Sequence, residues 1–141
     1  MRGHERLVWG AAFGADGTRL VSAGDDGTVR VWDPRGMGQV SVLRGHEGEA
    51  WVAAFGPDGR RVFSGGVDGT VRSWDWSAGT HRVLNRHEDE VVGLAVSIEF
   101  SRDGKLLTTA HGDGTVRLWR CTACEPVNDV LARVDRRLSG E

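Results

Sequence analysis

The sequence is poor in several residue types, and each shortage narrows what the protein can be. Its 141 residues include two cysteines, three prolines and no tyrosine, and two cysteines are too few for the disulfide framework of a small secreted domain. No run of 18 apolar residues occurs, so the sequence predicts no membrane-spanning helix. The N-terminal stretch MRGHERLVWG lacks the apolar run of a secretory signal peptide. Together these shortages lead us to expect a cytoplasmic protein.

Charge of a single sign is lacking as well. The formal net charge is −2, with acidic and basic residues interspersed, so the sequence predicts binding to neither nucleic acid nor an anionic membrane. Lys105 is the sole lysine among 18 basic residues. Arginine in place of lysine, with no tyrosine, is typical of a GC-rich genome and favours a bacterial source.

Glycine and tryptophan are abundant, with 21 and six copies, and an internal repeat accounts for both. The three copies of the repeat span residues 3–33, 45–75 and 86–120. The first two align without a gap, and the third aligns when four extra residues are allowed between His87 and Phe100. We expect this insert around Ser97–Phe100.

Each copy contains three apolar stretches separated by two Asp-Gly pairs, which favour tight hairpin turns because glycine tolerates a positive φ. The third stretch alternates apolar and polar residues, with Val29 and Val31 on one face, and a period of two indicates a strand. A fourth short stretch follows the first two copies, and the first stretch of the third copy is expected at residues 91–96. The sequence therefore predicts four-stranded antiparallel meanders, the third without its outer strand.

A spacing of about 42 residues, with Gly-His near the start of a copy and Trp-Asp at its end, resembles the WD-repeat (WD40) β-propeller family. The resemblance covers residues 3–120 and departs from the family pattern at Arg86 and Arg120, which replace Gly and Asp. It implies an all-β fold in which residues 1–120 form a partial β-propeller of three blades, with neither a cofactor nor a metal. The blades are residues 3–44, 45–85 and 86–120.

One set of side chains recurs in register in all three copies. In each copy an aspartate lies six residues before the tryptophan and four after a serine or threonine. In the WD-repeat family these positions resemble a hydrogen-bonded structural tetrad, and an unpaired buried polar group would cost about 1–3 kcal/mol. The tetrads are His4, Ser22, Asp26 and Trp32; His46, Ser64, Asp68 and Trp74; and His87, Thr109, Asp113 and Trp119.

The same residue types form the Ser-His-Asp triad of serine hydrolases, which leaves a hydrolase as an alternative. A catalytic triad is needed once, whereas this set occurs three times on equivalent strands, and the third copy has Thr109 in place of serine. The histidines also belong to separate blades, which argues against a shared metal. We therefore expect a protein without enzymatic activity.

A second set of positions is a candidate surface for a protein partner. Trp9 and Trp51 are equivalent, and they predict either packing between blades or an exposed aromatic near the channel mouth. The residue before each turn aspartate varies between copies, and in the family such residues often face partners. The candidate partner-binding residues are Trp9, Asp25, Trp51, Val67, Val92 and Gly112.

Residues 121–141 depart from the repeat. Their apolar residues have helical spacing, which predicts a short C-terminal α-helix docked on the last blade. Cys121 and Cys124 form a lone CxxC, which is half of a zinc site, a redox pair or simple packing, and we expect packing. The segment also resembles the tail that closes the WD-repeat region of bacterial STAND-type signalling NTPases, although no GxxxxGK[ST] motif occurs in the chain.

Three blades form an arc, because closed propellers contain about four to eight blades. The apolar faces at its ends would be covered by upstream blades of a longer chain, by a second copy that completes a ring, or by a separate propeller chain; we expect the first. The sequence thus predicts a protein-protein interaction scaffold, the C-terminal part of a larger propeller in a bacterial signalling or regulatory protein. The alternatives are a structural fragment without independent function and the hydrolase.

Overall fold

The structure is a computed structural model that describes residues 1–86, 95–121 and 125–126. Every regular element in these residues is a β-strand, and the strands form three four-stranded antiparallel sheets, here called blades 1, 2 and 3. No helix of the described part is long and apolar enough to cross a membrane. The all-β partial propeller predicted from the sequence is confirmed.

Blades 1 and 2 are meanders in which each strand pairs with the next one along the chain. Blade 1 contains β1 (Val8–Phe13), β2 (Leu20–Gly24), β3 (Thr28–Asp33) and β4 (Gly38–Arg44). Blade 2 contains β5 (Ala50–Phe55), β6 (Arg61–Gly66), β7 (Thr70–Asp75) and β8 (Thr80–Arg86). The Asp-Gly pairs form the turns between these strands, as at Gly59 with φ 67° and Gly69 with φ 69°.

Blade 3 differs from the sequence prediction at its outer edge. It contains β9 (Ala95–Phe100), β10 (Leu106–His111), β11 (Val116–Arg120) and β12 (Glu125–Pro126). The outer strand expected to be absent is thus present over two residues, where Pro126 pairs with Trp119 and Glu125 with Arg120. The sequence did not predict this strand because two residues are too few to show an alternation of apolar and polar side chains.

The four extra residues of the third copy lie before β9. Ala95 pairs with His111 as Ala50 pairs with Gly66, and Phe100 pairs with Leu107, so β9 matches β5 residue for residue. The predicted insert around Ser97–Phe100 is therefore wrong, and β9 extends beyond the predicted end of the first strand to Phe100. Residues 91–94 of that predicted strand lie outside the described residues. Four residues inside a strand would break its ladder, whereas a connecting segment accepts them without lost hydrogen bonds.

The apolar core lies between the sheets. One cluster joins blades 1 and 2 and includes Val21, Val31, Leu43, Phe55, Val62 and Trp74. A second joins blades 2 and 3 and includes Phe63, Ile98, Leu107 and Trp119. A buried side chain of this size contributes about 1.5–3 kcal/mol, so each blade depends on its neighbour for stability.

The predicted C-terminal helix and Cys124 lie outside the described residues. Cys121 is half-buried and packs at the edge of the second core cluster, and its backbone N–H donates to the carbonyl of Lys105 at 2.8 Å. Its place agrees with the packing role expected from the sequence.

Candidate functional site

In blade 2 the four predicted side chains form a continuous chain of hydrogen bonds. The Nδ1 atom of His46 lies 3.0 Å from both carboxylate oxygens of Asp68, and its Nε2 lies 2.7 Å from Ser64 Oγ. The Trp74 indole N–H donates to the same Oγ at 2.7 Å. Because the Asp68 carboxylate can only accept, His46 donates to it from Nδ1.

Blade 1 repeats this geometry closely. His4 Nδ1 lies 3.0 and 3.1 Å from the two oxygens of Asp26, and Nε2 lies 2.7 Å from Ser22 Oγ. Trp32 donates to Ser22 at 2.8 Å. Two copies of the tetrad are thus assembled by chain segments that lie far apart in the sequence.

The network extends to two residues that the sequence analysis did not single out. Thr70 donates its hydroxyl to Asp68 at 2.8 Å and accepts from Arg72 Nε at 2.9 Å, while Arg72 also reaches Asp68 at 3.2 Å. Thr28 and Arg30 make the equivalent contacts in blade 1. The repeated string Asp-Gly-Thr-Val-Arg was the signal that could have identified them.

The environments of Asp26 and Asp68 favour their charged forms. Burial by itself raises the pKa of Asp68, but hydrogen bonds from His46, the Glu47 backbone and Thr70, with the charge of His46, outweigh it and hold this pKa well below its ordinary value. In blade 1 burial likewise raises the pKa of Asp26, and hydrogen bonds led by Thr28 lower it further than burial raises it. Both carboxylates are therefore structural anions.

The burial of the serines argues against the hydrolase. Ser64 is completely buried, so its oxygen is not exposed to a substrate carbonyl. Ser22 is also buried. Among the residues that the structure describes, no cluster of three or more His, Cys, Asp or Glu side chains could hold a metal ion.

The described part of the blade 3 network contains Thr109, Asp113 and Trp119. Trp119 donates to Thr109 Oγ1 at 3.2 Å, and Asp113 accepts from the backbone and hydroxyl of Thr115. The Nε2 atom of His111 lies 2.8 Å from Thr109 Oγ1. His87, the predicted tetrad histidine, lies outside the described residues.

The outer edge of blade 2 contains a second histidine with a defined role. The side chain of Arg72 donates from its Nη1 to His81 Nε2 at 2.8 Å, which requires that nitrogen to be unprotonated. In blade 1, Arg30 donates at 2.7 Å to Gln39, which occupies the equivalent position. Burial and then the charges of Arg72 and His46 lower the pKa of His81.

Of the candidate partner-binding residues, Trp9 and Trp51 are brought into direct contact. Their rings stack with centroids 5.1 Å apart and an interplanar angle of 24°. Each occupies a β-bulge, since pairing skips from Val8 to Gly10 in β1 and from Ala50 to Val52 in β5. A bulge re-aims its side chain out of the ladder, which brings the two indoles together across the blade interface.

Two of the remaining candidates, Asp25 and Val67, lie near the Trp9–Trp51 stack. The backbone N–H groups of Asp25 and Val67 donate to the carbonyls of Leu7 and Glu49, which places both residues beside the strands that carry the tryptophans. Gly112 is exposed at the matching turn of blade 3. Val92 lies outside the described residues. In β9 the bulge falls at Val96, which is therefore the residue equivalent to Trp51.

Replacing Asp68 by Asn should destabilise the protein, because the charged hydrogen-bond acceptor of His46, Thr70 and Arg72 is lost. We expect the free energy of unfolding above pH 5 to fall by about 1–3 kcal/mol. The depressed pKa makes this contribution complete above the ordinary aspartate pKa and progressively lost as pH falls below about 4. Urea denaturation at pH 7 and pH 3 measures both effects.

Asp58→Asn is the matched control, since Asp58 is an exposed turn aspartate of the same blade whose carboxylate accepts from the Arg60 backbone. Its effect should stay within about 0.5 kcal/mol. Equal losses for Asp58→Asn and Asp68→Asn would contradict a special role for the network.

The His81→Gln variant should reduce the loss of stability in mild acid. Since the folded pKa of His81 is lowered, the unfolded chain takes up the proton first, and stability declines as pH falls through about 6.5. Glutamine keeps the acceptor for Arg72, as Gln39 does for Arg30 in blade 1, and does not titrate. Thermal unfolding from pH 7.5 to 5.5 should give a flatter curve for the variant; parallel curves would refute the assignment.

Comparison with known proteins agrees with this geometry. The family model described as WD domain, G-beta repeat matches residues 1–33, 37–75 and 79–120. The chain is also similar to Striatin-4 of Mus musculus, with 50% identity over 38 residues, which is 27% of this chain and 5% of the relative. Striatin-4 of Homo sapiens is 53% identical over 34 residues, or 24% of this chain and 4% of the relative. With three family matches that together span most of its length, the chain belongs to the WD-repeat family.

Proposed function

We propose that the chain is a protein-interaction scaffold that binds its partner on the rim around the Trp9–Trp51 stack. The observation that carries this proposal is the stack itself. Trp9 is 45% exposed although it is one of the largest apolar side chains, and it lies against a second tryptophan. Exposed tryptophan on a rigid strand is the typical anchor of a protein-protein interface.

The surroundings of the stack suggest the chemistry of the partner. Leu7 is exposed near Trp9, so the patch is apolar at its centre. The Trp51 indole N–H is already bound to Glu49 at 2.8 Å, and Arg6 lies 3.9 Å from Asp25 nearby. An apolar centre with a mixed-charge border fits a peptide segment with an aromatic or aliphatic anchor better than it fits an anionic ligand.

The wider setting is also part of the proposal. The tail at residues 121–141 resembles that of bacterial STAND-type signalling proteins. This supports a scaffold that recognises a protein signal in the cytoplasm of a bacterium. The alternative of a structural fragment without its own partner predicts no specific ligand for the rim.

Trp9→Ala should weaken partner binding while leaving the fold intact, because Trp9 contacts solvent on one side. Peptides selected against the folded chain from a random library would be measured by fluorescence anisotropy. We expect binding to weaken by about 30-fold or more, which is the effect of losing a hot-spot residue.

Met37→Ala is the control, since Met37 is 64% exposed in the turn before β4 and is not a rim residue. It should bind the selected peptides as the native chain does. Selected peptides that bind Trp9→Ala with undiminished affinity would reject the rim as the site.

The face of blade 1 that points away from blade 2 is a second candidate interface. On blade 2 the equivalent face is covered by blade 1, where Ala50 is 0% and Phe55 7% exposed. The matching residues of blade 1, Val8 and Phe13, are 51% and 64% exposed. A cavity of about 390 Å³ opens on this face beside Trp32. We propose that another blade of the same kind covers it.

The opposite end of the arc argues against a second copy as that blade. The outward face of blade 3 carries Glu99 and Thr108, which pair with each other in the sheet. Blade 2 has Ala54 and Phe63 at these positions, buried or half-buried against blade 3. A ring of two arcs would press Glu99 against the apolar face of blade 1, which desolvates a charge without a partner. The covering blade therefore belongs to an upstream part of a longer chain or to a separate propeller protein.

Light scattering separates these arrangements. The chain of 15.3 kDa should associate without a fixed stoichiometry as its concentration rises, and Phe13→Gln should suppress this association because it makes the exposed face of blade 1 polar. Val116→Gln, on the outward face of blade 3 where Val116 is 54% exposed, should have much less effect. A discrete dimer of twice 15.3 kDa that both substitutions disrupt equally would instead show the two-arc ring.

A further inference from the structure

Two cavities open between the blades at the strand ends opposite the Trp9–Trp51 stack. The cavity between blades 1 and 2 has a volume of about 270 Å³ and is lined by the turns that follow β1, β5 and β7. The cavity between blades 2 and 3 has a volume of about 390 Å³ and is lined by equivalent elements of the next blade pair. Because the repeat makes the two cavities equivalent, their differences show what is particular to each.

Trp76 distinguishes the cavity between blades 1 and 2. It lies two residues after the tryptophan of its tetrad, where blade 1 has Pro34 and blade 3 has Cys121. Its indole N–H donates to the Gly59 carbonyl at 2.9 Å, which fixes the ring across a turn of its own blade. The ring is half-buried against the core cluster of blades 1 and 2. With Phe55 it gives this cavity an apolar wall.

Arg19 lines the same cavity from blade 1. Its Nη1 donates to the Thr18 carbonyl at 2.9 Å and lies 3.8 Å from the Asp33 carboxylate. Its Nε is buried and has no hydrogen-bond partner in the part of the chain that the structure describes. A buried donor left unpaired is costly, and more so when it belongs to a charged group. An acceptor brought to Nε by a ligand would therefore be bound favourably.

The acidic side chains of the cavity are already held by their own turns. Asp16 accepts from the backbone N–H and the hydroxyl of Thr18, and Asp75 accepts from the same two groups of Ser77. Hydrogen bonds led by those from Thr18 and Ser77 lower the pKa of the two carboxyls. Three aspartates line the cavity beside two arginines, so a polyanion would be repelled. A single carboxylate that reaches Arg19 avoids most of this repulsion.

We propose that the cavity lined by Arg19, Phe55 and Trp76 is a second binding site, which takes an acidic side chain of a partner peptide together with a neighbouring apolar side chain. The carboxylate accepts from Arg19 Nε, because guanidinium and carboxylate groups form charge-assisted and often bidentate hydrogen bonds. The apolar side chain packs on Trp76. A volume of about 270 Å³ is small for a whole ligand, so an extended segment inserts its side chains from outside.

Peptide selection tests this proposal independently of the Trp9–Trp51 rim. Peptides selected from a random library against the Trp9→Ala chain, which lacks the anchor of the rim, should be enriched in Asp or Glu beside an apolar residue. Arg19→Gln, added to this chain, should weaken their binding by about tenfold, which is the effect of losing one hydrogen bond to a charged group. Fluorescence anisotropy measures the affinities. Selected peptides without acidic residues, or with affinities unchanged by Arg19→Gln, would overturn the proposal.

Arg61→Gln is the matched control. Arg61 occupies the position of Arg19 in the other cavity, where Cys121 stands in place of Trp76, and its side chain is exposed. The substitution removes the same charge from the same end of the blades. The selected peptides should bind it with undiminished affinity. Equal losses for Arg19→Gln and Arg61→Gln would assign the binding to general attraction by arginine and contradict a site at Arg19.

An NMR measurement on the native chain locates the peptide and does not depend on how well Arg19→Gln folds. The ¹H–¹⁵N resonance of Arg19 Nε, assigned through bonds from the backbone, should shift when a selected peptide is added. The same peptide with its acidic residue replaced by the amide should not shift it, and neither should inorganic phosphate. The Trp9 indole should remain constant. A shift with phosphate but not with the peptide, or a shift of the Trp9 indole alone, would refute the proposed site.

Discussion

The carboxylate of the turn aspartate is the group on which the rest of the blade depends in blades 1 and 2. In blade 2 the charge of Asp68 is kept in the interior by donors from two separate segments: His46 and Glu47 before the first strand, and Thr70 and Arg72 in β7. An unpaired charge at this depth would cost several kcal/mol. Satisfying it therefore fixes the incoming segment, the turn and the third strand at once, and Trp74 joins through Ser64.

A blade fixed in this way still cannot be stable alone, because its two faces are apolar. The core of this protein lies between sheets, so stability passes from blade to blade, as in other repeat proteins. The end faces of the arc then differ in kind. The face of blade 1 keeps the exposed Val8 and Phe13, whereas Glu99 and Thr108 make the face of blade 3 more polar. Because of this asymmetry, a further blade packs more favourably on the outward face of blade 1 than on that of blade 3.

The sequence predicted what is repeated and failed where the chain departs from the repeat. Asp-Gly turns and tetrad residues occur in register, so each copy of the repeat supports the interpretation of the others. Two tetrads are assembled as expected. The insert in the third copy was misplaced because nothing in the other copies aligns with it, and only the pairing of Ala95 with His111 locates it. The sequence also left two interpretations of Trp9 and Trp51, packing between blades or exposure, because the repeat pattern fits both. Their stacking depends on the β-bulges, which are a property of backbone geometry.

The difference between repeated and variable positions also explains where binding residues can lie. A position in the tetrad or in the interblade core is constrained by buried partners, and the repeats keep its residue type. The bulge position has no pairing partner in the ladder, so the blade accepts tryptophan at residues 9 and 51 and valine at residue 96. The residues free to differ between copies without loss of stability are therefore those through which this scaffold can distinguish its partner.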